Sequence, residues 1–259
     1  MSRQTWRLLL TPPASGAENM ALDEALMDRA RQSGEWVLRV YSWRTPTISL
    51  GRNQSARGRY DLDRIRNLGL DVVRRPTGGR AILHDREITY SVTAPVRDAG
   101  DLRESYERIN TLLLAGLHRL GVEASVAPPS RRAAAPGIAP CFDEPAAGEL
   151  TLDGRKLAGS AQWRSDDALL QHGSILIADD QSLLATLALD RPANIPSPAT
   201  LTDALGMAPE WSDVATALAG AVRDLEDADA GELTIDDELR ARASSLVVRY
   251  LDDAWTWRR

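Results

Sequence analysis

Cysteine is almost missing from this chain: among 259 residues there is one, Cys141. A single thiol excludes an internal disulfide and any cysteine-rich zinc site, and it fits a reducing compartment. Lysine is as scarce. Lys156 is the only one beside 30 arginines, and it follows the cysteine by fifteen positions. The one phenylalanine, Phe142, comes directly after the cysteine. No apolar run nears the roughly 18 residues that a membrane span needs. Met1-Ser2-Arg3-Gln4-Thr5-Trp6-Arg7 leads into only three leucines, too short for a signal-peptide core. The expectation is a soluble cytoplasmic protein with no membrane partner. A basic excess is absent too: the net charge of −6 argues against general nucleic-acid binding. Neither the Gly-x-x-x-x-Gly-Lys-Ser/Thr nor the Gly-x-Gly-x-x-Gly fingerprint occurs.

What is present reads as one α+β domain over residues 1–259, with strand pairs joined by hairpins and flanked by helices. Ser15-Gly16-Ala17-Glu18 has the spacing of a capping box and opens a helix that Ser33-Gly34 ends. Strands are expected over 36–43 and 47–50, then a strand meander over 71–75, 80–84 and 88–94. The apolar positions Tyr106, Ile109, Leu113, Leu117 and Leu120 mark a helix over 102–120 that Gly121 closes. An irregular Pro/Ala/Gly-rich stretch spans 128–140. Asp153-Gly154 is a two-residue hairpin signal joining 149–152 to 155–164, and a third strand runs over 169–177. From about 181 the chain is mostly helical, with turns at 191–198 and 208–210.

Three features carry chemistry. The first is the pair of lone residues. A cysteine at the edge of an irregular loop is not placed like core filler, and a lysine amine, unlike a guanidinium, can shift its pKa and partner a thiolate. An unperturbed thiol is only about 3% ionised at pH 7, so a nearby ammonium has work to do. The second is Arg74-Arg75-Pro76-Thr77-Gly78-Gly79-Arg80, where adjacent glycines let backbone N–H groups approach a ligand. Together with Arg131-Arg132, these arginines read either as solvated faces or as a basic rim for an acidic partner. The third is the strand 155–162, whose alternation puts Lys156, Ala158, Ser160 and Gln162 on one polar face, facing either solvent or a pocket, with Gly159 and Ala161 on the other. His172 and Ser174 follow on the next strand.

Taken in order, five blocks resemble one family. They are Glu18-Asn19-Met20-Ala21-Leu22-Asp23-Glu24-Ala25-Leu26, the run 74–84 ending in Ile82-Leu83-His84, Pro140-Cys141-Phe142, Gly154–Gln162, and Leu170-Gln171-His172-Gly173-Ser174. Spread over about residues 15–180, they are similar to the biotin/lipoate protein ligase and octanoyltransferase superfamily, nearest its cysteine-bearing LipM-type octanoyltransferase branch. After Cys141-Phe142 the run Pro145-Ala146-Ala147-Gly148-Glu149 replaces the Pro-Ser, aromatic or polar residue and Glu that family members often carry. The resemblance implies a large mixed, mainly antiparallel sheet flanked by helices. It implies an octanoyl group moved from acyl carrier protein, through a Cys141 thioester, to a lysine of a lipoyl-domain protein such as the glycine-cleavage H protein. Lys156 would lower the thiol pKa. Arg75, Gly78, Gly79, Arg80, His84, Gly159, Ser160, Gln162 and His172 would bind substrate, the glycine pair walling an apolar acyl tunnel. No metal or cofactor is implied, because exchange between thioesters needs no ATP. The alternatives are an ATP-dependent lipoate–protein ligase and an amidotransferase acting between lipoyl-domain proteins.

Overall fold

Ser15 opens the first long helix through both halves of a capping box. Its hydroxyl accepts the Glu18 N–H at 3.3 Å and the Glu18 carboxylate accepts the Ser15 N–H at 2.8 Å. Gly34, in the left-handed region at φ 73°, ends it. The computed structural model describes residues 4–128, 148–165, 167–190 and 196–258. In chain order these form β1 (Trp6–Leu10), α1 (Gly16–Ser33), β2 (Trp36–Tyr41), β3 (Thr47–Leu50), α2 (Leu62–Asn67), β4 (Asp71–Arg74), β5 (Ile82–His84) and β6 (Glu87–Pro95). Then come α3 (Val96–Ala99), α4 (Leu102–Arg119), β7 (Ser125–Val126), β8 (Leu150–Leu152), β9 (Arg155–Ser165) and β10 (Ala168–Leu176). The last part is mostly helical, as its sequence suggests: α5 (Gln181–Leu187), α6 (Leu201–Leu205), α7 (Trp211–Leu225), β11 (Gly231–Glu232), α8 (Asp237–Leu251) and α9 (Asp253–Thr256).

Eight strands form one sheet in the order β11-β1-β2-β6-β10-β9-β8-β7. β1 runs parallel to both its neighbours and the remaining pairs are antiparallel, so the sheet is mixed and mainly antiparallel as expected. The expected meander is not formed. β3, β4 and β5 leave the large sheet and make a second one in the order β4-β3-β5. β4 lies parallel to β3, and a parallel pair needs a crossover; residues 51–70, including α2, supply it. That helix has a single buried position, Ile65, which is too little to leave a periodic trace in the sequence.

Helices cover both faces of the large sheet. On one, Ile109, Leu113 and Leu117 of α4 and Val214, Leu218 and Val222 of α7 pack with Trp6, Trp36, Val92 and Ile175. On the other, Met20 and Leu26 of α1 meet Leu239, Leu246 and Tyr250 of α8. Each such side chain, fully buried, contributes ~1.5–3 kcal/mol. The small sheet has its own core of Ile48, Leu50, Ile65, Leu83, Leu184 and Leu187, under α2 and α5. Among the described residues no helix is long and apolar enough to cross a membrane.

The α4–α7 contact closes over Gly116, where a Cβ would lie 2.6 Å from Leu218 Cδ2 and 3.2 Å from its Cα. Gly116→Val is therefore expected to lower the unfolding free energy by ~1–3 kcal/mol, read from the midpoint of urea denaturation at unchanged slope.

Candidate functional site

The turn after β4 is held from inside by the arginines that precede it. Arg75 Nη1 donates to the Ser49 carbonyl at 2.8 Å, and Nη2 donates to the carbonyls of Gly78 (2.8 Å) and Arg80 (2.7 Å). Arg74, fully buried, donates to the carbonyls of Gln54 (2.9 Å) and Thr256 (2.8 Å). The Thr77 carbonyl accepts the Arg52 N–H at 2.7 Å. Arg74 and Arg75 thus brace backbone and take no part in a basic rim, which corrects the sequence reading; Arg131 and Arg132 lie outside the described residues. Gly79 sits at φ 91°, and Gly51 packs so closely that a Cβ there would fall 1.9 Å from the Gly79 carbonyl oxygen. Only glycine fits at either place.

Between this turn and the face of β6, β10 and β9 lies a small, partly enclosed pocket. Arg75, Gly79, His84, Gly159, Ser160 and His172, all expected to bind substrate, line it together. Met20, Trp43 and Ile82 make it largely apolar, and the small residues Gly159, Ala161 and Gly173 line it on the sheet side. Gly78 and Arg80 flank Gly79 on the turn. Gln162 faces elsewhere, its amide 2.8 Å from that of Gln171 on the side of α4.

Behind the pocket is a buried polar network. Asp23 Oδ1 accepts from Arg39 Nη1 (2.7 Å) and Ser91 Oγ (2.8 Å), and Oδ2 accepts from the Tyr41 hydroxyl (2.9 Å) and His172 Nδ1 (3.1 Å). Burial presses the Asp23 pKa upward, but the Arg39 charge and the His172 bond outweigh it and hold the carboxyl below its ordinary value. Burial pushes His172 below its ordinary value, against the pull of Asp23, so the ring is neutral. A neutral ring giving its Nδ1 proton to a carboxylate has an accepting Nε2, and the Thr77 hydroxyl donates to it at 2.6 Å. Beside this, His84 stacks on Trp43 with centroids 4.1 Å apart and meets Ser49 Oγ at 2.8 Å. The buried Glu87 carboxylate accepts from Thr89 (2.7 Å) and Ser174 (2.5 Å).

Lys156 departs from strict alternation. Leu150 pairs with Ala158 while Thr151 pairs with Lys156, so Leu157 is an extra residue, a β-bulge. Leu157 and Ala158 both enter the α4–α7 core. Lys156 therefore turns away from the face of Ala158, Ser160 and Gln162 toward that of Gly159 and His172. It is 3% exposed, and its Nζ donates to Glu149 Oε1 at 2.7 Å. Cys141 lies outside the described residues. The chain on either side of 129–147 is pinned at one place: Ala127 N–H donates to the Glu149 carbonyl (2.8 Å) and Gly148 N–H to the Ala127 carbonyl (3.1 Å).

Sequence reasoning missed Asp23, Thr77, Glu87 and Glu149. A signal existed for Asp23: Asn19 and Asp23 stand one turn apart in α1, while Arg39 interrupts the apolar Val37-Leu38-Arg39-Val40, and an opposite charge in each buried element invites pairing. Nothing comparable marked Glu87, which reads as an ordinary acid in the turn 85–87.

Comparison with known proteins fits this geometry. The pattern of the family described as lipoyl protein ligase A/B catalytic domain matches residues 15–223. The chain is 41% identical to the octanoyltransferase LipM of Kyrpidia tusciae over 99% of this chain and 100% of that one. It is equally 41% identical to the octanoyltransferase LipM of Symbiobacterium thermophilum, over 98% of each chain. Among solved structures, lipoate-protein ligase A bound with ATP has the same fold, with a TM-score of 0.81 at 23% identity over 98% of this chain and 99% of that one. The bi-partite lipoate protein ligase of Thermoplasma acidophilum matches with a TM-score of 0.79 at 22% identity, over 98% and 96%.

Two outcomes follow from the buried charges. His172 and Asp23 both have folded pKa values below their ordinary ones, so each contributes stability that is complete above the unfolded pKa and lost as pH falls toward the folded one. Unfolding free energy should decline as pH drops from about 6.5 and more steeply below about 3.8, and His172→Gln should flatten the first decline but not the second. Glu149→Gln removes a carboxylate partner from a buried ammonium, and chemical denaturation should register a loss of up to ~3–5 kcal/mol.

Proposed function

The chain belongs to the lipoyl protein ligase A/B catalytic domain family, and from that premise we propose that it is an octanoyltransferase of lipoate biosynthesis. The observation that carries this reading is the shared sheet face of an apolar pocket floored by glycines and the only lysine of the chain, Lys156, held by Glu149. Such a pocket suits an unbranched acyl chain, each buried methylene of which contributes ~0.8 kcal/mol. The two ends of the segment that carries Cys141 meet at Glu149, beside Lys156.

In this reading the donor is octanoyl-acyl carrier protein. The Cys141 thiolate attacks the thioester carbonyl, the carbon–sulfur bond to the carrier breaks, and the carrier thiol leaves with a proton. Lys156 favours the thiolate as a fixed positive charge, while Glu149 keeps its amine from wandering. A neutral lysine amine of a lipoyl-domain acceptor, such as the glycine-cleavage H protein, then attacks the Cys141 thioester. The amide bond forms, the Cys141 thiolate departs and the amine proton is released. One thioester is exchanged for another, so no ATP or other cofactor is required. Arg75, Gly79, His84, Gly159, Ser160 and His172 wall the acyl chain; Gly78 and Arg80 complete the turn above it, and Gln162 braces the strand from its other face.

The test is intact mass after incubation with octanoyl-acyl carrier protein, without ATP or acceptor. Wild type should gain one octanoyl group that hydroxylamine removes, and Cys141→Ser should gain none. Modification of acceptor that needs ATP and free octanoate or lipoate, and survives Cys141→Ser, would make the protein a ligase. Acyl transfer only from an already octanoylated lipoyl-domain protein would make it an amidotransferase.

A further inference from the structure

Gly78 and Gly79 present two adjacent backbone N–H groups that have no acceptor among the described residues, at the edge of a pocket that Gly79 lines. Their direction is imposed from the opposite side. In a planar trans peptide the N–H of one residue points away from the carbonyl of the residue before it, and no cis bond occurs among the described residues. The Thr77 carbonyl is tied to the Arg52 N–H and the Gly78 carbonyl to Arg75, so the N–H groups of Gly78 and Gly79 are turned away from those anchors. The free donors belong to a turn in which the carbonyls of Pro76, Thr77, Gly78 and Arg80 all have donors.

Arg75 fixes this turn to the small sheet. Its connection to the large sheet is a different one: the Thr77 hydroxyl on His172 Nε2 (2.6 Å), with His172 Nδ1 on Asp23 (3.1 Å). Asp23 accepts on both oxygens from Arg39, Ser91 and Tyr41 and cannot itself shift. It leaves the imidazole only one tautomer, and that tautomer makes Thr77 the donor.

We propose that Asp23 and Thr77 are positioning residues for acyl transfer: acting through His172, they fix the Gly78-Gly79 turn so that its two free N–H groups receive the acyl carbonyl oxygen. Charge grows on that oxygen as the thiolate or the amine adds, and donors already aimed at it stabilise the transition state more than the ground state. The kinetic side of this assignment rests on the acyl-transfer reading above; the structural side does not.

The experiment uses the full chain with Thr77→Val, Thr77→Ser and Asp23→Asn. Nitrogen-15 spectra of the imidazoles are simple, since the chain has three histidines. In wild type the His172 proton should sit on Nδ1, and in Asp23→Asn it should move to Nε2. Thr77→Val should slow cysteine octanoylation at saturating donor by about 10- to 100-fold, the cost of a misplaced donor. Its half-saturating donor concentration should stay within about twofold of wild type, and Thr77→Ser should restore the rate to within about threefold. The Gly78 and Gly79 backbone order parameters should fall from about 0.85 toward 0.6 in Thr77→Val and stay near the wild-type value in Thr77→Ser. A wild-type His172 protonated on Nε2, or a folded Thr77→Val that acylates at the wild-type rate, overturns the proposal. If Asp23→Asn fails to fold, the Thr77 pair decides. If wild type accepts no octanoyl group, the transferase reading fails, and the order parameters still decide whether the strut holds the turn.

Discussion

A carboxylate with no exposure to water, Asp23, is the point on which the architecture turns. Taking a charge out of water costs several kcal/mol per ion, and the cost is offset only where the partners saturate it. Asp23 is saturated by four donors from three strands of the large sheet: Arg39 and Tyr41 of β2, Ser91 of β6 and His172 of β10. Arg39 is held in turn by the Asn19 side chain and by Thr11, and its guanidinium lies 3.8 Å from the Tyr41 ring centre. Apolar packing alone would let α1 slide over the sheet. A single satisfied arrangement of charge does not, and through it the helix register, the strand face and the pocket wall become one rigid unit.

The second constraint is the use of guanidinium groups as internal braces. Arg74 and Arg75 each reach carbonyls from separate segments, which a planar fork with five donors does well and a lysine ammonium does poorly. They hold the crossover 51–60 and the turn 76–80 against β3 and β4 without a regular strand between them. The small sheet can therefore carry a glycine turn of unfavourable geometry, because the turn is secured by side chains.

Much of this was legible in the sequence. Capping at Ser15 and the Asp153-Gly154 hairpin depend on neighbours close in the chain, and both formed. The glycine turn and His172 were also marked, and they meet in one pocket. What was not legible depends on pairing across long separations. The parting of β3, β4 and β5 into a second sheet follows from a parallel crossover that no local pattern announces. The face of Lys156 follows from one extra residue, Leu157, and periodicity of two cannot show where a bulge resets it. Arg74 and Arg75 looked like surface charge because arginine usually is, and only the surrounding carbonyls reveal them as buried. Asp23 lies within one of the sequence motifs, but its role appears only once β2, β6 and β10 are seen side by side.

The burial of Lys156 has a consequence for the protein as a chemical object. With 30 arginines and one lysine that is 3% exposed, its surface presents no lysine amine at all. A guanidinium, protonated at any physiological pH, is a poor nucleophile toward a thioester. An activated acyl group carried by this chain would therefore meet no surface lysine of its own molecule or of a neighbouring copy, and the one buried lysine has its ammonium held by Glu149. Composition would thus suppress self-inactivation, and such an acyl group would be left for an amine that arrives on another protein.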